Sequence, residues 1–330
     1  MRRRDFITLL AGATTTWRLP AHAQQPERMR RVGVLMAYAE NDASAQSWIA
    51  AFRDALTKLG WKEGSNLRIE LRWSAADPDR MRTFAKELVD LQPDAILSQT
   101  TPVTSTLARK TRTIPIVCLT VSDPVGSGFA ASLARPGGNI TGLALYEPGT
   151  GGKWVELLKE IAPRTVRVAL LFNPATTAPL QFYMSSIQGA ASSLAIQASL
   201  APVHATDEIE GVVAAQARDP GGGLLAIPDV FNARNRELII ALAARYGVPA
   251  IYFDRVFANS GGLISYGSDF AAQFGQAAVY IDRILKGATP AALPIEAPTK
   301  FEMIINLKTA KALGLDVPPL MLGRADDVIE

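Results

Sequence analysis

The sequence predicts an α/β protein of two Rossmann-like lobes, each a parallel sheet covered by helices, with a hinge between them. Three observations predict it. The length, 330 residues, suits two domains at roughly 150 residues each. Short apolar runs alternate with segments of helical periodicity along almost the whole chain. The order also runs through twice: strands start near 32, 66, 94 and 114, then again near 166, 196, 222 and 249. Alternation at this spacing implies crossover helices, and so parallel strands buried on both faces. The order of elements repeats; the residues do not.

The first 23 residues read as an export signal. Met1–Arg4 is a positive n-region, Phe6 to about Trp17 is mildly apolar, and Ala21-His22-Ala23 fits the small-x-small cleavage rule. Cleavage after about Ala23 starts the mature chain at Gln24. Arg3-Arg4-Asp5-Phe6-Ile7 resembles a twin-arginine (Tat) signal, with Sec export as the alternative. The apolar stretch is too short to span a bilayer. No cysteine stands at or near its cleavage site, so no lipid anchor on an N-terminal cysteine is expected.

Arg31–Ala37 is an apolar strand. Residues 43–59 form a helix, because Trp48, Ile49, Phe52, Ala55, Leu56 and Leu59 share one face; Gly60 ends it. Asn66–Arg72 alternates as a strand. Asp77 caps the next helix with Pro78 at its first position, and the helix runs to about Leu91. Asp94–Ser98 is a strand, 101–111 a helix, and Ile114–Leu119 a strand. The Pro136–Asn139 turn precedes a short strand, Ile140–Leu145. Gly149–Gly152 reads as a loose segment, the expected first passage between lobes. The second series has strands at Val166–Phe172, Ile196–Pro202, Gly223–Ile227, Pro249–Tyr252 and Gly262–Tyr266. Its helices span 178–194, 206–217 and 231–246. The tail holds a helix at Phe270–Lys286, a strand at Phe301–Ile305 and a short helix at Leu307–Leu313 ended by Gly314.

Composition narrows the function. Hydrophobic residues make up 48% and charged residues 20%, a globular balance. The net charge of +3 is misleading, since residues 24–330 hold 30 bases and 30 acids. No basic excess remains for phosphates, so no nucleic-acid partner is expected. The one cysteine, Cys118, excludes an internal disulfide and a Cys-rich zinc site. No metal site and no cofactor are expected. Gly149-Thr150-Gly151-Gly152-Lys153 fails as a phosphate loop, because Glu147 stands where the first glycine belongs and Trp154 where the hydroxyl belongs. There is no G-x-G-x-x-G after the first strand and no G-x-S-x-G elbow. His204 is the only histidine after the leader, and no nucleophile motif flanks it. No residue is assigned to catalysis.

What the chain does carry sits just after its strands. In open α/β sheets ligands bind outside the carboxyl ends of the strands. There the sequence places Tyr38, Thr100, Thr101, Ser122, Asp123, Asn173, Asp229, Tyr252 and Tyr266. Thr100 and Thr101 precede a helix, where hydroxyls and free N–H groups can hold a carboxylate; the alternative is that Thr101 caps its own helix. Asp229 can meet an ammonium, or merely cap the helix after it. The three tyrosines can stack on a flat solute or pack in the core.

Several runs resemble the ABC-transporter substrate-binding protein family, the branch with tryptophan- and tyrosine-type binding proteins. They are Ile114-Pro115-Ile116-Val117, Ser122-Asp123-Pro124-Val125-Gly126, and Leu133 through Gly142 (LARPGGNITG). The likeness continues through Gly151–Lys159, Leu171–Pro174, Gly261–Gly267 and Ile305–Leu315. The resemblance implies a type I periplasmic binding protein fold of two lobes joined by three crossovers. The N-terminal lobe would span 31–143, with about 268–290 returning to it. The C-terminal lobe would span 147–266, with about 300–330 packing at the hinge or on the C-terminal lobe. It implies a monomeric periplasmic solute-binding component of an ABC importer, not an enzyme. Such a protein closes its lobes on a small solute, an aromatic or amino-acid-like carboxylate among the candidates, and delivers it to an inner-membrane permease. Carried over by position, Thr100, Thr101, Ser122, Asp123, Asn173 and Asp229 would form the ligand shell. Two alternatives stand beside it. One is a sensor subunit presenting ligand to a membrane kinase. The other is a periplasmic enzyme on the same fold, with Asp123 and Asp229 as the acid/base pair.

Overall fold

The computed structural model describes residues 29–177 and 180–330. The leader read in residues 1–23 lies outside them. The first sheet has five parallel strands, β1 (Arg30–Met36), β2 (Leu67–Trp73), β3 (Ala95–Gln99), β4 (Ile116–Val121) and β5 (Ile140–Ala144), in the order β2-β1-β3-β4-β5. The second has seven: β6 (Arg167–Phe172), β7 (Gln197–Pro202), β8 (Gly222–Ala226), β9 (Ala250–Tyr252), β10 (Ile264–Ser268), β11 (Phe301–Asn306) and β12 (Asp327–Ile329). Their order is β12-β11-β10-β9-β8-β6-β7. Read from β7 to β10, this is the strand order of the first sheet again. Each sheet therefore has its switch point between its first and third strands, where a crevice opens at the carboxyl ends.

Helices α1 (Ala43–Lys58), α2 (Pro78–Asp90) and α3 (Thr101–Ala108) cross between strands of the first sheet. Strand alternation divides its core: Val32, Val34 and Met36 pack with α1, while Leu35 and Ala37 pack with α2 and α3. Helix α4 (Thr150–Ile161) leads into the second sheet. There α5 (Gln181–Ser193), α6 (Glu208–Ala217), α7 (Val230–Arg234), α8 (Arg236–Tyr246) and α9 (Arg255–Asn259) fill the crossovers. Helix α10 (Phe270–Leu285) leaves the second sheet and packs on α1 and on β3, β4 and β5 of the first. Trp48 of α1 stacks on Phe274 at 5.9 Å and meets Phe270 edge-on at 5.1 Å. The chain then returns as β11, followed by α11 (Leu307–Ala312), α12 (Pro319–Leu322) and β12. It thus passes between the sheets three times.

Three local features differ from expectation. Gly149–Gly152 is not loose: Gly149 is the N-cap of α4, and Gly151 and Gly152 lie inside its first turn. A Cβ on Gly151 would sit 2.9 Å from the Tyr183 carbonyl and the Ser186 hydroxyl of α5. These glycines let two helices touch. The helix expected at 231–246 is broken at Asn235, whose Nδ2 takes the Phe231 carbonyl at 2.9 Å and whose Oδ1 accepts from Thr206. A side chain that competes for backbone acceptors in this way interrupts a helix. Finally, β11 runs antiparallel to β10, so the second sheet is only mainly parallel. The strand arrives from α10 and the other sheet rather than through a crossover helix, and its direction is unconstrained.

Candidate functional site

The two switch points face each other. Between them lies a cavity of about 40 Å³, room for a few waters. The first sheet's wall is Tyr38, Gln99, Thr100, Thr101, Thr120 and Ser122. Across it stand Thr176, Pro228, Asp229, Val230 and Phe253. The cavity is a throat between two wider clefts. Tyr38 and Val230 also line one of about 520 Å³, and Thr101, Pro102 and Thr176 line one of about 640 Å³.

The first wall is polar and under-bonded. Helix α3 starts at Thr101, its N-cap is Thr100, and no side chain caps it. The Thr101 hydroxyl turns elsewhere, accepting from the Ser122 N–H at 3.4 Å. Self-capping by Thr101, one of the two readings of the sequence, is therefore not what the chain does. The hydroxyls of Thr100 and Thr120 and Nε2 of Gln99 are buried without partners. Thr100 has φ 76°, ψ 158°, and Thr120 has φ 51°. Both are unusual for a β-branched residue, and the first is close to glycine-only territory. Strain of this kind persists where surrounding structure imposes it, and here both strained residues present a free hydroxyl to one cavity.

This gives a test at Thr100. Thr100→Gly should raise ligand-free stability by about 1 kcal/mol, strain relief less glycine's extra freedom in the unfolded chain. It should weaken any ligand held in this cavity about tenfold by removing a buried hydrogen bond. Urea melts with and without solute read both effects.

The opposite wall is built around Asp229. Its Oδ2 accepts from the Asn173 N–H at 2.6 Å, and its Oδ1 from the Phe231 N–H at 2.9 Å and the Thr176 hydroxyl at 2.5 Å. Burial pushes its carboxyl up to about 6 against the pull of these three donors. Asp229 caps α7 and lines the cavity as well. The two roles are compatible, because a carboxylate offers about four acceptor positions and three are used.

Tyr38 is held by an edge-on contact with Trp48 at 5.1 Å, so the α1–α10 aromatic cluster fixes the wall. Burial, with Asp254 and Asp42 nearby, holds its phenol well above its usual range, and it stays neutral. Beside it the two halves are joined by charge. Asp42 caps α1 through Oδ1 on the Ala45 N–H, and its Oδ2 accepts from Arg236 Nη1 of α8 at 2.8 Å. Asp254 lies buried near the same guanidinium, and burial lifts its carboxyl to about 7.

The structure thus brings Tyr38, Thr100, Thr101, Ser122 and Asp229 to one cavity. It does not bring the others. Asn173 lies behind Asp229, with its own side chain bonded to the Ala175 N–H and the His204 carbonyl. Asp123 is spent on a turn, Oδ1 accepting from the Gly126 N–H at 2.7 Å, and is not in the cavity wall. The Asp123–Asp229 acid/base pairing therefore has no shared cavity. Tyr252 is in the core, stacked on Phe257 at 4.8 Å. Tyr266 stacks on Phe301 at 5.5 Å. Both are inside strands, where alternate residues turn into packed layers.

A family model described as ABC transporter substrate binding protein matches residues 32–329. The chain belongs to that family. A tyrosine-binding protein of Clostridioides difficile (strain R20291) is 23% identical over 292 residues, covering 88% of this chain and 82% of that protein. Among solved structures, a conserved domain protein from Vibrio cholerae is 26% identical with TM-score 0.84, covering 91% of this chain and all of that one. A Streptococcus pneumoniae protein solved with L-Trp is 24% identical with TM-score 0.84, covering 91% and 99%. A ligand-free, open substrate-binding protein from Clostridium difficile is 20% identical with TM-score 0.68, covering 91% and 99%. The type I periplasmic binding protein fold expected from the sequence is the fold observed, and the relatives are substrate-binding proteins rather than enzymes. Among the described residues no helix is long and apolar enough to cross a membrane, and no His, Cys, Asp or Glu group is arranged to hold a metal.

At this cavity the sequence reading assigned no ligand role to Gln99, Thr120, Thr176, Phe253 and Phe270 in the wall, or to Asp42, Arg236 and Asp254 beside it, although Gln99, Thr120, Phe253 and Asp254 fall in segments just past predicted strands. Gln99 had a signal, since its large amide ends the short run Ala95-Ile96-Leu97-Ser98 of a buried strand. Arg236 had none, because its partner is 194 positions away.

Proposed function

We propose that this chain is the periplasmic solute-binding component of an ABC importer, capturing an amino-acid-like solute, aromatic amino acids foremost. One observation carries the reading: the cavity has opposite chemistry on its two walls. The uncapped start of α3 and the free hydroxyls suit a carboxylate. Asp229, with one acceptor position left, suits an ammonium. Between them Tyr38, Phe253, Phe270 and Leu145 offer apolar surface, the usual lining of a small-molecule site. The tyrosine- and tryptophan-binding relatives support the same solute class.

The two walls cover the cavity between them, so an aromatic amino acid enters only with the walls apart. Hinge closure of the two lobes then expels water and brings the walls together. The better superposition on the Trp-bound relative than on the open one supports a closed arrangement here. The leader at residues 1–23 directs export, the chain acts as a monomer, and an inner-membrane permease receives the solute.

A thermal-shift screen on refolded protein, stripped of carried-over solute, tests this. L-Trp or L-Tyr at 100 times its dissociation constant should add about 2.7 kcal/mol, a rise of a few degrees. A folded protein unmoved by aromatic amino acids and by their deaminated acids would sink the reading.

A further inference from the structure

The Gln99 amide has an obligate orientation. Its Oε1 accepts from the Ala37 N–H at 3.1 Å. A backbone N–H cannot be paired with an NH₂, so the amide cannot flip and its other end must be the donor. That donor, Nε2, has no partner, and the residue is fully buried on the cavity wall. A buried donor left unpaired costs about 1–3 kcal/mol, so the position is expensive unless a bound group satisfies it.

The neighbours narrow what that group is. Gln99 stands between the ends of β1 and β4, next to Thr100 at the start of α3. The Thr120 hydroxyl, equally buried and unpartnered, belongs to the adjacent strand β4. No charged side chain lines this wall, and the one carboxylate of the cavity, Asp229, is on the far side. The corner therefore offers one NH₂ that only donates, two hydroxyls that can donate, and the positive end of a helix dipole. It provides no anionic group for a cation.

We propose that Gln99 is a specificity-determining residue: its Nε2 donates to one oxygen of the solute's carboxylate, with the Thr120 hydroxyl alongside, so that the site selects acids over amines. This rests on the solute-capture reading above and names the group that the site requires. Decarboxylation of the solute would leave Gln99 Nε2, Thr100 Oγ1 and Thr120 Oγ1 all unpaired beneath it. Deamination would leave only an unused acceptor position on a carboxyl that can take a proton. The site should therefore tolerate loss of the amine better than loss of the acid.

The test is the isosteric Gln99→Glu change. Glutamate keeps an oxygen for the Ala37 N–H and puts a second one where Nε2 was, exchanging attraction for repulsion without changing shape. The probes are L-tyrosine, 3-(4-hydroxyphenyl)propionate (the acid without the amine) and tyramine (the amine without the acid), with the tryptophan series in parallel. Isothermal titration of the refolded wild type should rank the amino acid first, the acid second and the amine last. In Gln99→Glu, binding of the amino acid and the acid should fall roughly 100-fold, while tyramine holds or gains. Thr120→Val, which removes the hydroxyl but keeps the branched shape, should lower acid binding about tenfold and leave the amine alone. It serves if the glutamate variant does not fold.

The outcomes separate the two claims. A wild type that binds none of the probes defeats the solute reading and this inference with it. A wild type that binds the amino acids, with Gln99→Glu and Thr120→Val ranking the probes as before, overturns only the role of Gln99. A wild type that prefers tyramine to the acid overturns it without any variant.

Discussion

Arg236→Met should weaken solute capture by roughly 100-fold while lowering the melting temperature of the ligand-free protein little. Arg236 sits on the second half of the molecule and donates to Asp42 on the first. Both partners are largely buried, their side chains 20% and 9% exposed. Removing one member of a buried pair leaves an uncompensated charge, at about 3–5 kcal/mol. Here the cost has an escape route. If the halves separate, Asp42 returns to water, so the penalty falls on closure rather than on folding. In the proposed closure mechanism only the closed form holds solute, so affinity carries the loss. Small-angle scattering should show a larger radius of gyration for the ligand-free variant.

A companion variant sharpens the test. Asp42→Asn keeps the α1 cap, because an asparagine oxygen can still accept from the Ala45 N–H. It also leaves Arg236 with Asp254 in the same half, whose carboxyl that guanidinium already pulls down. The loss of affinity should be distinctly smaller than for Arg236→Met. Equal losses would mean that the pair matters only as a contact between the halves. No loss in either variant would mean that this ion pair does not hold the closed arrangement.

The fold was legible because both series of strands announce themselves as apolar runs separated by helical spacing. The switch-point rule then turned that reading into a site. Tyr38, Thr100, Thr101 and Asp229 lie just past strands that flank a switch point, Ser122 lies just past the neighbouring β4, and all five meet at one cavity. The rule fails where a strand end is already committed. Asp123 follows β4 but folds back on Gly126, and Tyr252 belongs to β9, whose residues pack inward. It also stops short. Gln99 is the last residue of β3 and Thr120 the last but one of β4, and a rule that looks past strand ends assigned neither a ligand role. Gly151 shows the opposite error. Glycine was taken as slack, whereas its missing side chain is what α5 packs against. The Asp42–Arg236 pair could not be read at all, since it exists only when two halves far apart in sequence face each other.

Affinity for an amino acid should fall about tenfold per pH unit below about pH 6, and Asp229→Asn should flatten that fall. The sign follows from the position of Asp229. Its carboxyl is at about 6 in the folded protein, above the ordinary 3.8, because burial disfavours the charge. In the ligand-free protein the proton is thus held more tightly when folded than when unfolded. This group's contribution to stability is greatest below about pH 4 and is lost as pH rises through about 6. A solute ammonium reverses the balance by favouring the carboxylate, so binding below pH 6 must release a proton. The partners of Asp229 are two backbone N–H groups and a hydroxyl, none of which titrates in this range, and neither does the solute's own carboxyl or amine between pH 4.5 and 7. Asp254, at about 7, faces Arg236 and Tyr38 rather than the ammonium position. The acid that lacks the amine is the internal control, because its binding should not weaken as Asp229 takes up its proton. Titrations of L-Tyr and 3-(4-hydroxyphenyl)propionate at pH 5.5, 6.0, 6.5 and 7.5 separate the cases, a range that stays above the control's own carboxyl, which titrates at about 4.3 like a glutamate side chain. Parallel profiles for the two solutes would remove the ammonium role of Asp229, leaving it as the cap of α7 and the anchor of the Asn173–Thr176 loop.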